Sequence, residues 1–164
     1  MSITIESLEK KHIQQICGLI KGYRAETAKE FSEEDYQKVL DQLEFMGSLS
    51  RTGGEALSRV FVAAEGESVV GYIGVHMIPF PLMAGRELYI SDLLVSPDYR
   101  GRGCGSLLLA HAEQFAQAQS CKRLMLNNLK EMPSYARGFY AAHGFTEREN
   151  AANFVKKLLV GDGQ

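Results

Sequence analysis

Apolar residues at the start of the chain first alternate with polar ones and then recur at helical spacing. Ile3 and Ile5 are each flanked by polar residues, and this period of two predicts a short strand. Ile13, Ile16 and Ile20 follow at intervals of three and four residues, which places them on one face of a predicted helix. The chain is therefore expected to open with a strand and an amphipathic helix.

A second helix is predicted to begin near Ser32. Serine is a favourable N-cap residue, and the acidic residues that follow it stabilise the positive end of a helix dipole. Apolar residues then recur on one face of this helix: Tyr36, Val39, Leu40 and Leu43. The segment Ser48–Glu55 contains a Gly-Gly pair and is predicted to be a loop.

A β-hairpin is predicted in the middle of the chain. The apolar segments Val60–Ala64 and Val69–Ile78 are separated by a Gly-Glu-Ser sequence at 66–68, which suits a tight turn. Proline cannot donate a hydrogen bond to a neighbouring strand. We therefore expect Pro79 and Pro81 to end the second strand of the hairpin.

Four further elements are predicted after the hairpin. The strand Glu87–Val95 ends in a run of apolar residues, which is typical of a central buried strand. A Gly- and Arg-rich turn follows, and apolar residues from Leu107 to Ala116 then recur at helical spacing. Another strand is predicted at Leu124–Leu129, followed by a short helix at Ser134–His143 with Gly144 as its C′ residue.

The end of the chain predicts two more strands, one from Phe145 onward and one at Phe154–Leu159. The succession of strands and helices predicts an α+β fold built on a mixed sheet. A single domain at 1–160 is expected, because domains typically have roughly 100–200 residues. The last residues, Gly161–Gln164, are predicted to be a flexible tail.

The composition is that of an ordinary soluble globular protein, with 45% hydrophobic and 23% charged residues. A net charge of −2 disfavours a nucleic-acid partner, which would require a basic surface. Three widely spaced cysteines without metal-ligand spacing predict reduced thiols and no metal site. The N-terminus has no signal-peptide pattern, and no apolar stretch reaches the ~18 residues of a membrane span. We therefore expect a cytoplasmic protein with no membrane association.

The turn after Glu87–Val95 carries the clearest chemical signal. Glycines at 101, 103 and 105 let the backbone approach a ligand closely. The first amides of the next helix have no partner within it and lie at the positive end of its dipole, so they suit an anion. The N–H groups of residues 102–106 are predicted to hold a pyrophosphate, with Arg100 adding charge. The segment lacks the G-x-x-x-x-G-K-[ST] sequence of a P-loop, and its third glycine comes one residue too early for the G-x-G-x-x-G fingerprint of dinucleotide-binding proteins. A turn that served packing alone would give its two arginines no role.

This segment resembles the acetyl-CoA loop of the GNAT superfamily of N-acetyltransferases, [RQ]-x-x-G-x-[GA], with Arg100, Gly103 and Gly105 in place. A second segment, Ala136–Phe145, resembles the family's A-x-x-F-Y-x-x-x-G-F. The resemblance covers nearly the whole chain and is least specific before Val60. It implies a central, mostly antiparallel sheet that is splayed at the coenzyme site and flanked by helices. It also implies acetyl-CoA as co-substrate, without a metal.

The resemblance implies coenzyme contacts from the third predicted strand, the loop and two later segments. These residues are Leu93, Leu94, Val95, Arg100, Gly101, Arg102, Gly103, Cys104, Gly105, Ser106, Asn127, Asn128, Phe139 and Tyr140. Backbone groups of Leu93 and Val95 are expected to pair with the pantetheine amides, as an added strand would. Where many members carry an asparagine, this chain has Pro133, and Asn127 and Asn128 are expected to supply polar contacts instead, the alternative being a polar strand end.

The family reaction is direct attack of a neutral amine on a thioester, and the resemblance implies three roles in it. Tyr140 is the candidate acid that protonates the thiolate, since a phenol is protonated at neutral pH. The backbone N–H of Leu94 is the candidate oxyanion donor. Asp92 is the candidate base, in a strand similar to that of the polyamine acetyltransferases, although Ser91 replaces an acidic neighbour. Glu87, Tyr89 and His76 remain alternatives for the base.

The acceptor is expected to be a primary amine of a small molecule (polyamine, aminoglycoside or amino-acid-like) or of a protein. Its site is expected to involve Cys17–Gly47, which is rich in acidic residues, and Ile78–Arg86. The apolar segment Phe80–Met83 also suggests a homodimer contact. Two alternatives are a non-catalytic acyl-CoA-binding regulatory module and a toxin-like acetyltransferase of aminoacyl-tRNA, which the net charge disfavours.

Overall fold

The computed structural model describes residues 2–49 and 57–158. The chain divides into two compact units, Met1–Asn127 and Asn128–Gln164. The single domain predicted at 1–160 stays a prediction. The predicted tail, 161–164, lies outside the described residues.

The first unit is built on a five-stranded sheet with the order β1-β2-β3-β4-β5. The strands are β1 (Ile3–Ser7), β2 (Ser58–Glu65), β3 (Ser68–Phe80), β4 (Gly85–Val95) and β5 (Cys121–Leu126). Neighbouring strands from β1 to β4 are antiparallel, and β5 is parallel to β4. The predicted mixed, mostly antiparallel sheet is confirmed.

Helices cover both faces of this sheet. They are α1 (Lys10–Glu26), α2 (Glu33–Leu49) and α3 (Cys104–Ala118). Successive side chains of a strand point to opposite faces. Val62 of β2 accordingly belongs to the core that contains Ile16 of α1 and Leu43 of α2. Phe61 packs on the other face against Phe115 of α3, with ring centroids 5.4 Å apart.

The predicted start of the second helix is confirmed in atomic detail. The Ser32 hydroxyl accepts a hydrogen bond from the Asp35 N–H at 3.1 Å, and the Asp35 carboxylate accepts one from the Ser32 N–H at 3.0 Å. This reciprocal pair satisfies two donors at the helix start. Because α2 continues to Leu49, Ser48 is helical rather than part of the predicted loop. The rest of that loop, 50–55, lies outside the described residues.

The prediction that Pro79 ends the hairpin strand is wrong, because β3 continues to Phe80. The Met77 N–H faces β2 and donates to the carbonyl of Leu57. Residue 79 faces the same side, since the direction alternates along a strand. The described pairing between β2 and β3 ends at Ser58 and His76, before residue 79 is reached. Pro79 therefore removes no hydrogen bond between these two strands. Pro81 begins a 3₁₀ turn and ends β3.

The second unit contains little regular structure in the part that is described. A helical turn, α4 (Pro133–Ala136), is followed by a 3₁₀ turn at Ala141–His143 that Gly144 ends with a φ of +81°. The predicted helix is interrupted at Gly138, which has a φ of +64°. No strand forms at 145–158, so the two strands predicted there are wrong as far as they are described. An apolar pattern makes a strand only where a second strand supplies backbone partners.

The apolar segment Phe80–Met83 is exposed in part, and the Leu82 side chain is 90% exposed. The homodimer expected through this segment stays a prediction.

Gly71 of β3 is closely surrounded by β4 and α3. A Cβ at this position would lie 2.9 Å from the Leu94 carbonyl oxygen and 3.3 Å from both Cys104 Sγ and Leu108 Cδ1. The carbonyl belongs to the β4 backbone and cannot move without disturbing the sheet. We therefore expect Gly71→Ala to lower the free energy of unfolding by about 1–3 kcal/mol, the usual cost of overpacking. Urea denaturation measures this change.

Gly18→Ala is the matched control, because a Cβ on that α1 residue would meet no atom within 4 Å. This variant should raise the free energy of unfolding by about 0.5–1 kcal/mol through helix propensity. A Gly71→Ala protein as stable as the parent would contradict the close contact between β3, β4 and α3.

Candidate active site

The pairing between β4 and β5 ends halfway along β4. Paired residues run from Arg86 with Cys121 to Ile90 with Leu126. Strand β4 continues to Val95, however, with β3 as its partner up to that point. Residues 92–95 are therefore paired on one side and open on the other, within the described residues. An open strand edge offers unpaired N–H and C=O groups to an extended ligand.

The register identifies which backbone groups of β4 face this opening. The Ser96 N–H donates to the Val70 carbonyl at 2.9 Å, so Ser96 turns its backbone toward β3. Leu94 does the same, since the direction alternates along the strand, and its carbonyl lies close to Gly71. Leu93 and Val95 face the open side. The Leu94 N–H, which the sequence predicts as the oxyanion donor, is therefore directed at β3 rather than at the opening.

The loop between β4 and α3 presents backbone amides at a helix N-terminus. A 3₁₀ turn at Pro97–Tyr99 leads to Gly101 and Gly103, which have φ values of +72° and +82°. Other residues rarely adopt such angles without strain. Helix α3 begins at Cys104, and its first N–H groups have no acceptor within the helix. This end of α3 carries the positive pole of its dipole and suits an anion.

Side chains of the loop are held by the protein itself. The Arg100 Nε donates to the Val95 carbonyl at 3.1 Å, and its guanidinium binds both carboxylate oxygens of Glu26 in α1 at 2.9 and 3.3 Å. Arg102 lies 4.6 Å above the Tyr99 ring. The Cys104 side chain is buried, and burial raises the pKa of its thiol. The loop therefore offers mainly its backbone to a ligand, while these side chains hold its shape.

A β-bulge in β4 gathers polar side chains on one face of the sheet. The register passes from Val75 paired with Ile90 to Gly74 paired with Asp92, so Ser91 is the extra residue. Neighbouring side chains of a regular strand point to opposite faces. Here a Cβ on Gly74 would lie 2.9 Å from the Ser91 hydroxyl and 3.2 Å from the Asp92 carboxylate. Both side chains therefore lie on the face of Gly74, which leaves them room.

These polar side chains form a continuous chain of hydrogen bonds. The Ser91 hydroxyl donates to the Asp92 carboxylate at 2.7 Å. His76 Nε2 lies 2.8 Å from that hydroxyl, and His76 Nδ1 lies 2.8 Å from the hydroxyl of Ser58. Burial lowers the pKa of His76, with the Asp92 charge as a weaker opposing influence, so the imidazole is mainly neutral at pH 7. Two of the sequence candidates for the base, Asp92 and His76, are thus directly connected.

The other two candidates for the base are engaged elsewhere. Glu87 is buried and forms an ion pair with Arg123 at 2.7 Å, which is the arrangement of a structural pair. The Tyr89 hydroxyl accepts a hydrogen bond from the Asn127 amide at 3.3 Å.

The C-terminal half of α1 lies beside this polar cluster. Burial is the main cause that raises the pKa of Tyr72 in β3, and the charge of Asp92 adds to it. Cys17 and Tyr23 of α1 also raise the pKa of Tyr72. Glu26, at the end of α1, binds Arg100. One face of the first unit therefore combines α1, the centre of β3, the bulge of β4 and the glycine-rich loop.

Sequence reasoning missed three contributors to this site, Ser58, Tyr72 and Gly74, and placed Glu26 only among the acidic residues of the acceptor region. Glycine within a strand indicates a close approach of another group, so Gly74 was a usable signal. Glu26 could not be distinguished by sequence from the other acidic residues near it.

Tyr140 lies in the second unit, in a small aromatic cluster. Its ring packs edge-to-face against Phe139 and Phe145, with centroids 5.0 and 5.8 Å away. Burial raises the pKa of Tyr140, so its hydroxyl is protonated at neutral pH. In the same unit the side-chain amide oxygen of Asn128 accepts a hydrogen bond from the Ser134 hydroxyl at 2.9 Å.

No group of three or more His, Cys, Asp and Glu side chains within 2–49 and 57–158 could hold a metal ion. In the same ranges, no helix combines the length and the apolar character that crossing a bilayer requires.

Comparison with known proteins identifies relatives of this chain. It is 30% identical to thialysine N-epsilon-acetyltransferase from Bos taurus over 103 residues, or 56% of this chain and 60% of that protein. The chain thus matches about three fifths of that relative's length. Two solved structures show the same fold. One is an integron cassette protein of V. cholerae, with a TM-score of 0.75 and 25% identity, covering 97% of this chain and 94% of the other.

The other solved structure is a ribosomal-protein-alanine N-acetyltransferase from Brucella melitensis, with a TM-score of 0.71 and 17% identity, covering 96% of this chain and 99% of the other. The family comparison matches residues 18–145, well over half of the chain, to the acetyltransferase (GNAT) family. These residues include α3, the glycine-rich loop and the open edge of β4. The chain belongs to the GNAT acetyltransferase family.

Proposed function

We propose that this protein is an N-acetyltransferase that moves the acetyl group of acetyl-CoA to a primary amine. The observation that carries the proposal is the one-sided pairing of β4, immediately followed by a loop with helix N-terminal amides. The two features lie in the order in which pantetheine and pyrophosphate follow each other along the coenzyme. A non-catalytic acyl-CoA-binding module would need the same two features, so a turnover measurement has to separate these functions.

Binding of the coenzyme is proposed to rest on the backbone. The outward C=O of Leu93 and N–H of Val95 would pair with the pantetheine amides, as an added strand does, while the Val95 carbonyl is held by Arg100. The amides of residues 102–106 would hold the pyrophosphate, since the positive end of α3 favours negative charge there. Arg100 keeps the loop close to α1 and would add positive charge beside the phosphates.

Acyl transfer asks three things of the chain: an acceptor for the amine proton, a donor to the oxyanion and a donor to the thiolate. Asp92 is proposed as the proton acceptor, since it is exposed on the face where α1 and the bulge meet. The register favours Leu93 N–H over Leu94 N–H as the oxyanion donor, because Leu93 faces the opening. Tyr140 stays the candidate acid for the thiolate, and its raised pKa keeps the required proton.

The acceptor is proposed to be a primary amine of a small molecule, with a protein amine as the alternative. The exposed carboxylate of Asp92 would attract a cationic amine. The bovine relative is named for thialysine. A first panel should therefore contain thialysine and lysine, together with polyamines, aminoglycosides and an N-terminal peptide amine.

The proposal predicts amine-dependent release of free thiol from acetyl-CoA. Gly103→Asp should reduce turnover and coenzyme affinity about 100-fold or more, because its carboxylate would repel the phosphates at the helix terminus. Gly66→Asp is the matched control: this residue also has a positive φ, of +63°, and open space around it, but lies in the β2–β3 turn. Thiol release and calorimetry measure the two effects.

Coenzyme binding without turnover on any amine would favour the non-catalytic module. Equal coenzyme affinity in the Gly103→Asp and Gly66→Asp proteins would contradict the position of the pyrophosphate.

A second prediction concerns Tyr140. Tyr140→Phe keeps the ring between Phe139 and Phe145 and removes the hydroxyl. The catalytic rate should fall by roughly 10²–10⁴, the contribution of a positioned acid, while coenzyme affinity changes little. Activity of the parent should decline only above pH ~10, because burial moves the tyrosine pKa upward from its ordinary value.

Tyr135→Phe is the control for this variant, since the Tyr135 hydroxyl donates to Glu147 on the surface at 2.8 Å. It should leave the catalytic rate unchanged. If Tyr140→Phe turns over as fast as Tyr135→Phe, then Tyr140 serves packing and another group protonates the thiolate.

A further inference from the structure

We propose that Asp92, Ser91 and His76 form a proton relay, in which Asp92 receives the proton of the attacking amine and His76 stores it. This inference rests on the proposed acetyl transfer and extends it from a single base to a chain of three side chains. His76 touches no acceptor in this scheme and acts through the other two.

The bulge at Ser91 makes the relay geometrically possible. In a regular strand Ser91 and Asp92 would point to opposite faces, and no contact between them would continue to His76. The bulge places both on the face of Gly74. The resulting distances are 2.7 Å from Asp92 to Ser91 and 2.8 Å from Ser91 to His76. Both are short enough for proton transfer along hydrogen bonds.

The exposure of the three side chains orders them from solvent to interior. Ser91 and Asp92 are exposed, whereas His76 is half-buried between β2 and β4. An acceptor amine can therefore reach Asp92 directly. A carboxylate holds a proton weakly near neutral pH, and an imidazole holds it better, since their reference pKa values are about 4 and 6.5. Asp92 is therefore the accessible first acceptor of the amine proton, and His76 holds that proton more effectively.

The proton step balances without any further reactant. The amine N–H bond breaks as the amine lone pair attacks, and the proton passes to the Asp92 carboxylate. Protonated Asp92 no longer accepts from Ser91: it gives its proton to the Ser91 oxygen, while the Ser91 hydroxyl turns its own hydrogen to His76 Nε2 and transfers it there. Asp92 ends as a carboxylate, Ser91 is unchanged, and His76 becomes an imidazolium. The neutral imidazole must start with its proton on Nδ1, donated to the Ser58 hydroxyl 2.8 Å away.

The groups around His76 are compatible with this role. On β4, Asp92 favours the imidazolium, and the Tyr89 ring lies 6.5 Å away by centroids. On β2, the facing partner is the neutral Ser58. Among the described residues of the helices, no charged side chain acts on the His76 pKa. Burial outweighs Asp92 and keeps His76 neutral, ready to accept a proton, at pH 7.

The test compares Ser91→Ala, His76→Gln and the double variant by the pH dependence of kcat/KM on the best amine of the panel. In the parent, activity should rise with pH as His76 deprotonates, with a midpoint below 6.5 because burial lowers its pKa. His76→Gln should remove this limb and lower kcat about 10²-fold, as loss of a base does. Ser91→Ala should lower kcat by a similar factor although His76 is still present, because the connection to Asp92 is broken. The double variant should be little slower than either single variant, since all three lose the same relay.

His111→Gln is the matched control, since His111 is another half-buried histidine whose pKa burial lowers, on α3 against Phe61. This variant should keep both the rise of kcat/KM at low pH and the kcat of the parent. Relay variants with full activity and an unchanged acid limb would overturn the relay while leaving the transferase intact. A double variant whose fall in kcat equals the product of the two single falls would also overturn the relay, because the two side chains would then act independently. A parent without turnover on any amine would overturn the proposed function and the relay together.

Discussion

Hydrogen bonding along β4 becomes one-sided beyond Ile90, and the arrangement of the site follows from this constraint. Strand β3 pairs with β4 as far as Val95, while the pairs with β5 stop at Leu126. The backbone groups of Leu93 and Val95 are left facing an opening in the middle of a sheet. Such groups are costly to bury without partners and ready to bind an extended chain of amides. The loop that follows adds the positive end of α3.

The bulge at Ser91 supplies the chemistry that the opening lacks. One additional residue in β4 turns Asp92 and Ser91 to the same face and brings them into line with His76 of β3. Glycine at 74 leaves the space that the two side chains occupy, and glycine at 71 lets β4 and α3 approach β3 closely. Two strand glycines therefore decide where these polar side chains lie and how closely β4 and α3 approach β3.

The sequence was sufficient for elements whose signals are local. The apolar spacing of Ile13, Ile16 and Ile20 predicts α1, and the Ser32 cap predicts the start of α2, because both depend on residues within one or two turns. The bulge depends on the register between two strands, which no local pattern contains. A shift of one residue exchanges the two directions of a strand, so the sequence could not establish that the Leu94 N–H is directed at β3.

The sequence also could not predict contacts between residues that are far apart along the chain. The pair of Arg100 and Glu26 joins residues 74 positions apart, and the sequence assigned Arg100 only to the ligand. The strand predicted at Phe154–Leu159 is absent from its described part, 154–158, for a related reason: an apolar pattern supplies no partner strand. In contrast, Gly101 and Gly103 have the positive φ angles that a tight glycine-rich turn requires.

The most direct test of this account is amide hydrogen exchange of β4, resolved by residue with NMR, with and without saturating acetyl-CoA. The account predicts slower exchange at Leu93 and Val95 on addition of the coenzyme. Leu94 should stay unchanged, because its N–H is already directed at β3. New protection at Leu94 alone, or no change along 91–95, would contradict the claim that the open edge of β4 holds the coenzyme.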